Sequence, residues 1–204
     1  MNFTTGIPKF RYRAHTSYFE IAKVNAAKYN DLDKQLLTIY EGFEDSIDPQ
    51  RHADYAAVYR AREEAGVVAI TFAGMALEAF FYNYAAKELG DTFVQTHLDK
   101  LDLKSKFLIY PKLVCGNGPD KGASTAYGKL SQLVSLRNEL VHFKSRAFPG
   151  DKLHEMFDYD TELAGRIRAG CANAIDCVNE VMSELDRLHG QANVFTIDIL
   201  SPSL

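Results

Sequence analysis

The stretch VVAITFAGMALEAFFYNYAA, Val67–Ala86, decides the fold. Twenty residues with a single charge are about as long as a bilayer span. Glu78 falls near the middle, however, with Asn83 close behind, and an ionised carboxylate there is expensive in lipid. A helix that is apolar all round is equally what the centre of a helical bundle requires. The stretch therefore reads as a buried central helix, in a cytoplasmic protein with no membrane partner.

Upstream, Asp48 is placed to cap this helix and Pro49 to occupy its first position, while Leu89–Gly90 ends it with a glycine C-cap. A kink is expected near Gly66 or Gly74. Residues 1–15 carry Gly6 and Pro8 and read as an extended arm, with Phe10–Arg13 alternating as a short strand would. Thr16 or Ser17 caps a helix to about Phe43, with Tyr18, Ile21, Ala22, Leu36, Leu37, Ile39 and Tyr40 as the expected inward positions.

Downstream, a short helix is expected over Asp91–Leu98 and another from Asp102 to Val114, closed by Gly116, with Pro111 bending or shortening it. Asn117–Ser124 is loop by composition. Ser124 or Thr125 caps a helix to about Phe143, and Phe148-Pro149-Gly150 is a turn. A last long helix runs from Asp160 or Thr161 to Leu188, stopped by Gly190. The tail Val194–Leu200 (VFTIDIL) is apolar and β-branched and reads as a short strand, with Phe10–Arg13 as a conceivable partner. The expected architecture is an all-α antiparallel helical bundle, with one domain over residues 16–190, an extended arm before it and a tail over 191–204 after it.

At 204 residues, 47% of them hydrophobic, the chain can bury a substantial core. The net charge of −4 argues against a polyanion-binding basic protein. Charge is uneven, though: Lys121, Lys129, Arg137, Lys144, Arg146 and Lys152 meet only Glu139 and Asp151 within their span. Such a local basic region can hold nucleic acid in an acidic protein. Cys115, Cys171 and Cys177 are odd in number and form no CxxC pair, which favours a reducing compartment. The N-terminus lacks the basic and apolar blocks of a signal peptide.

The chemistry-bearing segment is Arg137-Asn138-Glu139-Leu140-Val141-His142. At about 100° per residue from Leu133, Arg137 lies at about 40°, inside an arc made by Leu130, Val134, Leu136, Leu140, Val141 and Phe143. Asn138 and His142 share the adjoining face at about 140° and 180°. A cation within an apolar arc needs an anion. Glu78, the one carboxylate of the central apolar stretch, is the internal candidate, and a ligand phosphate is the other. Arginine neutralises phosphate charge and histidine moves protons near neutral pH.

The Arg137-Asn138-x3-His142 grouping, late in a helical chain and preceded by Ala73–Asn83 (AGMALEAFFYN), resembles a HEPN domain (higher eukaryotes and prokaryotes nucleotide-binding), over roughly residues 50–190. The resemblance implies a homodimer in which two motifs face each other across a cleft, acting as a metal-independent endoribonuclease of toxin–antitoxin or phage-defence type. It implies His142 as general acid or base, Arg137 as the group stabilising the charged phosphorus centre, and Asn138 as an orienting residue. Glu78 is the auxiliary candidate. The competing implication is a non-catalytic HEPN module that binds nucleotide, RNA or a protein partner. No cofactor or metal is expected; an antitoxin or other protein partner is. Members controlled by adenylylation carry a tyrosine two residues after the histidine, where this chain has Lys144.

The remaining constellations read as structure. Cys171 and Cys177 are small core residues, Gly116–Gly122 is a loop without the Gly-Lys-Ser/Thr of a P-loop, and the aromatic run Phe72–Tyr84 is core. His15, His52, His97, His154 and His189 are expected at the surface.

Overall fold

The computed structural model describes residues 13–40, 49–142, 149–191 and 194–200. The fold is an all-α helical bundle. Its elements are α1 (Ala14–Tyr40), α2 (Pro49–Leu89), α3 (Asp91–Phe93) running on into a π-helical turn (Val94–Leu98), α4 (Leu103–Cys115), α5 (Thr125–Val141), α6 (Leu153–His189) and α7 (Val194–Leu200).

Helix α2 is the axis. Its middle carries small residues (Ala65, Gly66, Ala69, Ala73, Gly74, Ala76) that are all buried. These let neighbouring helices approach closely, and at Gly66 an added Cβ would lie 2.6 Å from Ile167 Cγ2 and 2.9 Å from Tyr29 Cδ2. Nearer its C-terminal end the buried residues are large, Phe80, Phe81 and Tyr84. Helix α1 runs antiparallel to α2, since Arg62 meets Asp33 while Phe80 meets His15. Helix α6 lies along α5 in the opposite sense, as Glu139 pairs with Arg166 and Lys129 with Glu180. Ile70, Leu77, Leu130, Leu133, Met182 and Leu185 form the common core. Each such side chain contributes roughly 1.5–3 kcal/mol on burial. By length and composition α2 could cross a bilayer, and 56% of its most apolar window is buried inside the protein.

Local signals place most boundaries. Asp102 caps α4 by accepting from the Lys104 and Ser105 amides, and Ser124 caps α5 by accepting from Tyr127 N–H. Gly116 and Gly190 close α4 and α6 in the left-handed conformation, at φ 78° and 64°. Pro49 opens α2 as expected, while Asp48, its expected cap, lies outside the described residues, as does the end of the first helix beyond Tyr40. Pro111 does not break α4.

Four expectations need correction. The tail is helix α7, not a strand. Asp186 accepts from the Phe195 and Thr196 amides at 2.8 and 3.4 Å, satisfying donors that a helix start leaves orphaned, and from Thr196 Oγ1 at 2.9 Å. Phe195 and the buried Ile199 then share the inner face. The strand pairing with the N-terminal arm falls with it, and residues 1–12 of that arm lie outside the described residues.

Helix α6 starts at Leu153 rather than near Asp160, because the intervening LHEMFDYD has no glycine or proline to stop it and Lys152 pairs with Glu155 at 2.7 Å. Helix α1 starts at Ala14, so neither Thr16 nor Ser17 caps it, and its phase matches the expected set only in part, at Ala22 and Leu36. It buries His15, Phe19, Ala22, Ala26, Tyr29 and Leu36 and leaves Ile21 and Leu37 exposed. Finally, His15 is 1% exposed and packs edge-on against Phe80, and His189 is half-buried against Tyr84 and Phe195. His52, His97 and His154 are exposed as expected.

Candidate functional site

The last turn of α5 presents the motif. Helix α5 is fixed by the buried Leu130, Leu133 and Val134, so the residues after them have a set phase. Leu136 packs on α6, where Gly170 leaves no room for a side chain: an added Cβ would clash with Leu136 Cδ2. Two residues pin the same turn to opposite neighbours. Arg137 reaches α2, while Glu139 takes a two-pronged pair from Arg166 of α6, with both contacts at 2.9 Å.

Arg137 lies along α2 at Gly74. The aliphatic stem lies over Gly74, where a Cβ would sit in ordinary contact, 3.5 Å from Arg137 Cγ and Cδ and 3.6 Å from its Nε. Its Nε is sealed from solvent and makes no hydrogen bond. The Nη atoms face Glu78, with Nη1–Oε1 at 3.2 Å and Nη2–Oε2 at 3.5 Å. The expected Arg137–Glu78 pair thus forms, but at the surface rather than in the core: the side chains are 22% and 40% exposed.

Asn138 is exposed, and its Oδ1 is 3.5 Å from Arg137 Nη1. His142 is the C-cap of α5. Its amide donates to Asn138 O at 3.0 Å, its backbone leaves the helical region at φ −104°, ψ 25°, and its ring is exposed. Among the described residues nothing hydrogen-bonds that ring. Arg137, Asn138 and Glu78 are therefore brought together, and His142 stands one turn further on, on the same face as Asn138. The following residues 143–148, with Lys144 and Arg146, lie outside the described residues.

The charge around the motif is more balanced than the sequence suggests. Lys129 finds Glu180 at 3.5 Å and Asp176 at 3.8 Å, Lys152 finds Glu155, and Arg137 finds Glu78. Carboxylates on α2 and α6 thus neutralise basic residues that a linear count leaves unopposed.

The other chemistry-bearing side chains are structural in their setting. Burial pushes the Cys171 and Cys177 thiols up to about 11 and about 12, so neither forms a reactive thiolate near neutral pH. Gly116–Gly122 is loop, ending in a turn at Lys121–Ala123 where Asp120 Oδ1 accepts from the Gly122 amide. Among the described residues, no group of three or more His, Cys, Asp or Glu is arranged to hold a metal ion.

The sequence reading missed the two inner histidines. Helical spacing carried the signal: His15 is four residues before Phe19 and seven before Ala22, and His189 is four after Leu185. The sequence matches no protein-family model, and comparison with curated proteins and with solved structures returns no match.

Proposed function

We propose that the chain is a HEPN-type, metal-independent endoribonuclease of the toxin or defence kind, acting as a homodimer whose cleft is built from two copies of the α5 end. The observation that carries the reading is one exposed surface with a guanidinium anchored on α2, an amide beside it, and, a turn away, an exposed imidazole that no other described residue hydrogen-bonds. RNA supplies its own nucleophile, the ribose 2′-hydroxyl, so the protein must provide proton transfer and charge stabilisation. His142 takes the proton from the 2′-hydroxyl or gives one to the leaving 5′-oxygen. Arg137 balances the charge at phosphorus, and Asn138 orients a phosphate oxygen. The product is a 2′,3′-cyclic phosphate. The full set comprises Arg137, Asn138 and His142, with Glu78 as the auxiliary group.

A second reading has its own support. Arg137 is already held by Glu78, which suits a non-catalytic module that binds nucleotide, RNA or a protein partner. Incubating purified protein with total cellular RNA in EDTA separates the two. Fragments with cyclic-phosphate ends, lost in both His142→Ala and Arg137→Ala, support the enzyme. Intact RNA across defined substrates, with a monomeric mass in solution, removes it.

A further inference from the structure

We infer that Glu78 is a built-in competitor for the anion site on Arg137, so that a phosphate takes the two-pronged Nη fork only by displacing it. The inference deepens the functional reading of Arg137 as a phosphate-binding group.

Donor accounting comes first. Arginine offers an anion its Nε and its two Nη groups. Here Nε is sealed against α2 over Gly74, with no hydrogen-bond partner and no solvent access. The two Nη groups therefore provide the accessible donors; each gives one N–H to a carboxylate oxygen of Glu78, and Nη1 also lies 3.5 Å from Asn138 Oδ1. A phosphate presents two oxygens to the same fork in the same way. Beside Glu78 only an outer Nη N–H is left for a single contact; to bind two-pronged, with Nε closed off, the phosphate must displace Glu78 from the Nη fork.

The strength of the pair is right for exchange. Its contacts of 3.2 and 3.5 Å are long beside those of other arginine–carboxylate pairs in the bundle. Arg62 meets Asp33 at 2.9 Å and Glu63 at 2.7 Å, Arg166 meets Glu139 at 2.9 Å, Arg168 meets Asp33 at 2.7 Å and Arg187 meets Glu184 at 2.8 Å. Water also reaches the pair, since Glu78 is 40% exposed. A buried pair would resist opening, whereas a solvated one is cheap to open. Meanwhile the arginine stem packs over Gly74 on α2 independently of Glu78, so losing Glu78 frees the Nη donors without requiring the stem to move.

The test uses inorganic pyrophosphate and the full chain, by calorimetric titration at fixed ionic strength without divalent metal. Glu78→Gln and Glu78→Ala are each expected to bind roughly fivefold more tightly than wild type, as removal of one partly exposed competing charge implies. Adding Arg137→Gln to either is expected to abolish the gain. Affinity that is unchanged or weaker in both Glu78 variants overturns the inference, as does absence of binding in every variant, or a gain that survives Arg137→Gln. This readout requires neither His142 nor RNA. An inert but exchangeable Arg137 would sink the ribonuclease and leave the competitor; cleavage without an affinity gain would do the reverse.

Discussion

Tyr84 on α2 and His189 at the end of α6 share a 2.7 Å hydrogen bond across 105 positions of sequence. The Tyr84 hydroxyl is otherwise surrounded by packed rings, and burial, with lesser contributions from Cys115 and Glu88, pushes its pKa well above the usual phenol range. It remains a neutral hydroxyl at any physiological pH. The pair also forms the seat for Phe195, which meets both rings edge-on. Tyr84→Phe, which keeps the ring and removes the hydroxyl, is expected to cost about 1 kcal/mol in denaturant unfolding. It should also speed amide exchange at Phe195 and Thr196. An unchanged midpoint would show that the rings alone hold α7.

Two glycines of α6 should respond in opposite directions to the same substitution. At Gly170 an added methyl collides with Leu136, and Gly170→Ala is expected to destabilise by about 1–3 kcal/mol through overpacking. At Gly165 an added Cβ meets nothing within 4 Å, so Gly165→Ala should stabilise by about 0.5–1 kcal/mol through helix propensity. Thermal unfolding of the two variants measures the contrast. Equal shifts would mean that α5 and α6 do not approach as described.

Acid should loosen the junction of α1, α2 and α6. Burial pushes the Asp33 carboxyl up, but hydrogen bonds from Arg168 and Arg62 outweigh it and hold Asp33 below its ordinary 3.8. A carboxylate with a lowered folded-state pKa stabilises the protein above its unfolded value, and that stability is lost as pH falls through the folded one. Burial leaves Glu63 above its ordinary 4.5 despite Arg62, so Glu63 acts in the opposite sense, favouring the folded state as it takes up its proton. The Asp33 contribution should therefore be complete near pH 6 and disappear below 3.8. Asp33→Asn should cost about 1–2 kcal/mol at pH 6 and flatten the acid limb of the stability curve. A parallel, unflattened limb would locate the acid sensitivity elsewhere.

The exposed motif should separate activity from stability. The His142 ring is exposed and, among the described residues, without a hydrogen bond, so His142→Ala is expected to leave thermal unfolding within about 0.5 kcal/mol of wild type. It should lower RNA cleavage at least about 100-fold. Arg137→Ala also removes a stem packed on Gly74 and should cost about 1 kcal/mol in addition to activity. A large loss of stability in His142→Ala would recast the histidine as a structural residue.

The helix ends were the most legible feature. Pro49, Asp102, Gly116, Ser124 and Gly190 all stand where the chain's own signals put them, because capping is a transaction between residues a few positions apart. The central helix was legible too, since apolar residues all round leave few alternatives to a bundle core. The phase of α1 was legible only in part, at Ala22 and Leu36. Ile21 and Leu37 are as apolar as the residues that were buried in their place, and only the position of α2 chooses between them. The tail misled for a related reason: β-branched residues favour strands, but that preference is weak beside an Asp186 carboxylate from another helix capping the segment.

Within the candidate site, the sequence determined the grouping of Arg137, Asn138 and His142, because spacing along one helix is fixed by the helix itself. It also offered Glu78 as a partner. Tertiary structure alone decided that Gly74 would carry the arginine stem, that the pair would sit in water rather than in the core, and that His142 would end α5 instead of lying within it. Burial, and the partner a side chain meets across the bundle, depend on where a second helix comes to rest, and no local pattern encodes that position.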